Sequence, residues 1–222
     1  MRKLCCRLLV VTLLISFYLP NTVAPIFSIE ETETQTASPT TKPYAKLSLR
    51  KEPKKMLTEK AVRAMLKDHN FYERRWNPDG LFENDFVDNG DGTVTDRATG
   101  LMWQKKGSPK PLTLKRAAYY IGSLNDKQFM GYSDWRMPTV EELASLIKGN
   151  VRRGPYINPL FTPKRKPCWS SDSGYIEDRD LKDVWTVSFV EGRIIRQLLD
   201  NDPREIFGYP ETYYVRVVRS TR

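Results

Sequence analysis

GTVTDRATGLMWQ, residues 92–104, and GYSDWRMPTVEEL, residues 131–143, decide how this chain folds. Ahead of the first box, Phe86 and Val87 end a strand and Asn89-Gly90-Asp91-Gly92 turns the chain. Residues 93–96 then alternate as the next strand. Asp96-Arg97-Ala98-Thr99-Gly100 makes a second turn, in which the Asp96 carboxylate accepts backbone N–H bonds and Gly100 supplies a positive φ. Residues 101–104 return as a third strand, with Trp103 expected to be buried and its indole N–H bonded. In the second box, Thr139 and Glu142 form a T-x-x-E capping box after Pro138. Val140, Leu143, Ala144 and Ile147 face the core and Gly149 closes the helix. Between the boxes, Thr113 caps a helix whose Leu114, Ala117, Ala118 and Ile121 share one face.

After Gly149 come loops rich in Pro, Arg and Lys, then short strands near residues 168–171, 184–189, 193–198 and 213–219. The order meander, helix, helix, strands predicts an α+β fold with a mainly antiparallel sheet. This domain is assigned to residues 82–222, with a helical lead-in and arm at residues 56–81. There Thr58 is an N-cap, Leu57 and Val62 form a hydrophobic staple, and Val62, Met65, Leu66 and His69 share a face. NFYERRWNPDGLFENDF, residues 70–86, carries aromatics without a period and reads as an extended arm packed on the main domain.

Residues 30–55 are rich in Thr, Pro, Glu and Lys without a period and read as a disordered spacer. Residues 1–29 read as an export segment: a basic start, an apolar run over residues 8–19, and a small-residue site at Thr22-Val23-Ala24. Pro25 hinders cleavage there, and no charge falls between residues 8 and 29, a stretch long enough to span a bilayer. A removed signal peptide and a retained membrane tether through residues 8–29 both stay open, and either places the C-terminal bulk outside the cytoplasm, in the periplasm or at the surface.

With 222 residues the chain holds one domain of ordinary size plus an appendage. Lys and Arg number 36 against 27 acids. Setting aside Arg2, Lys3 and Arg7 leaves 33 against 27, a modest excess that suits polyanions. Cys5 and Cys6 precede the apolar run, so neither is the modified cysteine of a lipoprotein signal. Cys168 is then alone in the rest of the chain, which leaves no intramolecular disulfide.

The two boxes resemble the C-terminal domain of the Legionella collagen-like adhesin, a bacterial family of exported modules. The residues that carry the resemblance are GTVTD-x-x-TGLMWQ, GYSDWRMPT-x-EEL, Trp169-Ser170-Ser171, the W-x-V-x-F-x-x-G pattern from Trp185 to Gly192, and YVR-x-VR near the end. The resemblance implies a variant of the C-type lectin-like fold, with two helices flanking small twisted sheets. The signature positions are Asp96, Thr99, Gly100, Trp103, Asp134, Trp135, Arg136, Pro138, Glu142, Trp169, Arg216 and Arg219. Relatives often carry one cysteine in the first helix and one in the terminal VR-x-VR. Here those places look like Tyr120 or Ile121, and Val217, so an apolar contact is expected instead of a disulfide.

Asp88-Asn89-Gly90-Asp91-Gly92 invites a calcium reading, but aligning Asn89, Asp91 and Gly92 with the third, fifth and sixth places of an EF-hand loop puts Val87 first. An Asn-Gly turn accounts for the residues better. His69 is the sole histidine and reads as a packed or capping residue. Cys168 reads as a buried structural thiol, without the second cysteine that copper-dependent formylglycine-generating enzymes of the same broad fold employ. Glu142 reads as a cap, and Asp134 with Arg136 as a buried brace around Trp135. No metal, cofactor or catalytic set is assigned, and export disfavours nucleic acid.

The basic loops remain. Arg152, Arg153, Lys164, Arg165 and Lys166 lie between the second helix and Cys168, punctuated by Pro155, Pro159, Pro163 and Pro167. In the resembling adhesin domain, positive surface binds sulfated polysaccharide, so these five are the candidate ligand residues. The expected function is a non-enzymatic envelope module that binds an anionic polysaccharide or an envelope protein. The alternatives are a structural, homo-oligomeric domain associating through the helix at residues 58–69, or an enzyme of the formylglycine-generating kind.

Overall fold

Each α-helix begins where a threonine hydroxyl satisfies the backbone. The computed structural model describes residues 47–149, 151–176, 181–198 and 211–221, which belong to one compact unit. The export segment, Cys5, Cys6 and the spacer up to residue 46 lie outside the described residues. Helix α1 (Glu59–Asp68) starts at Thr58, whose hydroxyl accepts from the Ala61 N–H at 3.2 Å. Leu57 and Val62 are both buried, as a staple requires. Helix α2 (Leu114–Asp126) starts at Thr113 in the same way. Helix α3 (Val140–Ser145) carries the complete capping box: Thr139 Oγ accepts from Glu142 N at 3.2 Å, and the Glu142 carboxylate accepts from Thr139 N at 3.0 Å. Among the described residues no helix is long and apolar enough to cross a membrane.

The first box folds as the meander its turns dictate. Strands β1 (Phe86–Asp88), β2 (Thr93–Asp96) and β3 (Leu101–Gln104) pair antiparallel, and β7 (Val218–Ser220) joins β3 to complete a four-stranded sheet. A second, three-stranded antiparallel sheet holds β4 (Cys168–Ile176), β5 (Leu181–Ser188) and β6 (Arg193–Leu198), with a register shift between Trp169 and Ser173. The class is α+β, as expected. Two apolar clusters fill it. One gathers α1, α3, Trp103 and Trp185; the other gathers α2, Trp135, Trp169, Val215 and Val217. Tyr120, Ile121 and Val217 share that second cluster, where the resemblance implied an apolar contact.

Five local expectations need correction. Residues 47–55 are no spacer: Leu47 N bonds Ala98 O at 2.9 Å, Lys54 O accepts from Ser173 N at 3.0 Å, and Leu49 is buried. Residues 70–86 are not an extended arm. The chain turns tightly around Glu73, a fully buried carboxylate that accepts from Arg75 N, Trp76 N and Ile194 N at 2.8, 2.7 and 3.2 Å. Ala118 is exposed, because α2 buries Ala117 and leans on Leu114, Tyr120, Ile121 and Leu124 instead. Helix α3 ends at Ser145, before Gly149. A Cβ at Gly149 would lie 2.7 Å from the Tyr72 ring, so that glycine serves close packing and not a left-handed cap. Trp103 is fully buried, yet its indole N–H meets no acceptor among the described residues.

Candidate functional site

The residues of the two boxes resolve into structural roles. The Asp96 carboxylate is buried and accepts from Asp85 N, Ala98 N, Asn84 Nδ2 and Thr99 Oγ, at 3.0, 3.1, 2.8 and 2.7 Å. Gly100 follows with φ 68°. Trp135 N and O are both bonded by the Asn125 amide, at 2.8 and 2.9 Å, and its indole donates to Phe129 O. Pro138 O accepts from Ser171 N at 2.8 Å, and the Trp169 indole donates to Leu112 O at 2.7 Å.

The expected Asp134–Arg136 brace does not form. Arg136 grips Glu142 with both guanidinium nitrogens, at 2.7 and 2.6 Å, so one carboxylate serves as cap and counter-ion together. Asp134 instead meets Arg219 at 2.6 and 3.2 Å, and the Arg219 guanidinium lies 3.8 Å over the Tyr132 ring. Its bond to Arg219 holds the Asp134 carboxyl below the ordinary range. Arg216 is fully buried and donates to three carbonyls, those of Gln104, Lys105 and Thr162. Each position is occupied with holding the fold.

The groups weighed for catalysis or metal binding are similarly engaged. Asp88 pairs with Lys105 and accepts from Gly90 N, while Asp91 accepts from Thr93 N at 2.8 Å. These are turn bonds, and Asn89 Nδ2 adds another to Thr93 Oγ. Among the described residues no group of three or more His, Cys, Asp and Glu is placed to hold a metal ion. His69 caps α1, sets its ring 5.2 Å from that of Phe71 at a 44° tilt and faces Glu141 Oε1 at 3.3 Å. Cys168 is fully buried, and burial pushes its thiol up to about 11.

The five candidate cations separate. Arg152 and Arg153 are exposed, and each lines a surface depression. Arg152 faces one of about 400 Å³ with Tyr72, Asp79 and Leu81. Arg153 faces another of about 510 Å³ with Lys148, Ile157 and Phe161. Val151 lines both, and a third hollow of about 430 Å³ shares Leu81 with the first and Lys148 with the second. The three therefore adjoin as one trough between the turn at residues 78–84 and the loop at residues 148–163. Its cations come from the loop, and two acids, Asp79 and Glu83, come from the turn.

Lys164 does not belong to that surface. Its ammonium donates to Ser108 O at 3.0 Å and sits 4.7 Å from the Tyr214 ring centroid; burial, and then Arg216, hold it below the ordinary lysine value. Lys166 lies exposed beside Thr212 Oγ at 3.4 Å and Tyr213, and Arg165 is exposed. Sequence reasoning missed Lys148 and Tyr72. Lys148 sits just past a capping-box helix, and the proximity of Tyr72 depends on long-range packing, so neither carried a local signal.

With this geometry in place, the comparisons are specific in one respect. The family model for the Lcl C-terminal domain, that of the Legionella collagen-like protein, matches residues 92–219. No curated protein and no solved structure matches the chain.

Proposed function

The chain belongs to the Lcl C-terminal domain family, and from that premise we propose an exported, non-enzymatic, lectin-like envelope module that binds an anionic glycan. The family is one of bacterial surface or secreted proteins. The observation that carries the reading is the pair Arg152 and Arg153. Both are exposed, and neither enters an ion pair or hydrogen bond among the described residues. Guanidinium groups left unpaired beside Lys148 are available for bidentate contact with sulfate or carboxylate. Asp79 and Glu83 across the trough suit sugar hydroxyls as donors, which favours a glycan over a bare polyanion. The burial of Cys168 and the engagement of His69 support the non-enzymatic reading, because a nucleophile or general base must reach its substrate.

The test is retention on immobilised heparin at low ionic strength, followed by a salt gradient. The full chain is expected to bind and to elute as salt rises, since exposed charges are screened beyond about 10 Å at 0.1 M salt. Arg152→Ser with Arg153→Ser is expected to elute at clearly lower salt, and Lys164→Ser to shift elution little. Failure of the full chain to bind at low salt would sink the proposal in favour of a purely structural role.

A further inference from the structure

The basic excess of the chain is not spread evenly along it. Residues 47–75 hold nine Lys and Arg against four Asp and Glu, whereas residues 76–222 hold 22 against 20. Asymmetry of this kind points to a surface with a charged partner. Within the basic stretch Arg50 is committed to Asp172, and the other eight cations are exposed. Of its acids, Glu73 is fully buried, Glu59 is half-buried, and Glu52 and Asp68 are exposed. The stretch lies outside residues 92–219, which match the family model.

Helix α1 gathers part of this charge on one face. Val62 and Leu66 turn into the core, and the opposite side carries Lys60, Arg63 and Lys67 around Ala64. With Glu59, which pairs with Arg63, they line a hollow of about 570 Å³. Lys60 and Lys67 enter no ion pair or hydrogen bond among the described residues. The whole lining comes from one helix, so no second wall encloses a ligand there. Beside it the Trp76 ring carries two guanidinium groups, those of Arg63 at 4.9 Å and Arg75 at 4.5 Å from its centroid. Trp76 is half-buried, and its indole N–H has no acceptor among the described residues; the other four tryptophans are fully buried.

We propose that this face, formed by Lys60, Arg63, Lys67 and Trp76, docks on an anionic lipid bilayer. A one-helix surface without walls suits a plane of phosphate headgroups better than an enclosed sugar. Lysine and arginine ends meet the phosphates while their stems lie along the headgroup layer. An indole with an apolar body and a free N–H belongs at that same boundary. The order of the chain supplies such a partner: only seventeen positions, 30–46, separate this stretch from the uncharged run of residues 8–29. The docking face uses no residue of the trough that holds Arg152 and Arg153, so it stands apart from the glycan reading.

Because Trp76 alone among the tryptophans is not buried, its contact with lipid can be read separately. The full chain is mixed with vesicles of dibrominated phosphatidylcholine, whose bromines quench an indole only at close range, with or without about 30 mol % phosphatidylglycerol. Partial quenching is expected on the anionic vesicles, little on the neutral ones, and loss of the difference in about 0.5 M NaCl. Trp76→Phe is expected to abolish the quenching. Lys60→Gln with Lys67→Gln, both at exposed positions, is expected to remove most of it, since each cation near an anionic leaflet counts about fivefold in binding. Equal quenching on both vesicles, none on either, persistence in Trp76→Phe, or an unaffected double variant would overturn the proposal. A double variant that elutes earlier from heparin, with no quenching by the parent chain, would make the face a glycan site instead.

Discussion

Four tryptophans, Trp103, Trp135, Trp169 and Trp185, are buried alike, but their indole N–H groups are not treated alike. Trp135, Trp169 and Trp185 each donate to a backbone carbonyl, of Phe129, Leu112 and Leu57 respectively. Trp103 has no acceptor among the described residues. Removing a bonded indole orphans a buried carbonyl, whereas removing an unbonded one relieves a desolvated donor. Trp185→Phe is therefore expected to destabilise the fold by about 1–2 kcal/mol more than Trp103→Phe. Urea unfolding of both variants measures the difference, and equal losses would count against this account. The same scale explains Arg216, whose planar fork reaches three carbonyls from one position, an arrangement lysine could not reproduce.

At the scale of elements, one buried carboxylate joins three segments that are far apart in the chain. Asp172 in β4 accepts two guanidinium bonds from Arg50, both at 2.8 Å, the backbone N–H of Lys54 at 2.7 Å, and the N–H of Val140 at 2.8 Å. The lead-in, α3 and the second sheet are thereby fixed to one another, and Thr139 Oγ closes the loop by donating to Arg50 O at 3.0 Å. Arg50→Ala leaves a buried carboxylate without its counter-ion and is expected to cost about 3–5 kcal/mol. Adding Asp172→Asn removes the uncompensated charge, so the double variant should recover part of that loss. Thermal unfolding of the single and double variants reads the coupling, and strictly additive losses would mean that the pair does not act as a unit.

At the scale of the molecule, the boundary of the family match and the folding boundary differ. The family match begins at residue 92, but residues 47–91 supply Leu49, Leu57, Val62, Leu66 and Phe71 to the core. At roughly 1.5–3 kcal/mol for each buried side chain, their loss amounts to about 8–15 kcal/mol, the whole stability of an ordinary domain. A chain beginning at residue 92 is therefore expected to lose its near-ultraviolet circular dichroism and cooperative melting, while one beginning at residue 47 keeps both. A cooperative transition at an unchanged midpoint in the shorter chain would refute this. The lead-in also supplies Tyr72 to the basic trough, so that candidate site depends on it.

The amino-acid sequence by itself determined the meander, the three N-caps, the capping box, the burial of Trp103 and Trp135, and the family. Each of these is written in a turn, a spacing or a motif only a few residues long, where cause and effect are neighbours. Tertiary structure alone decided that Asp134 answers Arg219 and not Arg136, that Arg50 answers Asp172, and that Lys164 turns inward while Arg152 and Arg153 stay exposed. Those outcomes pair groups separated by up to 122 positions. A charge has no periodicity that names its partner at such a distance; the partner is chosen by which surfaces the core brings together.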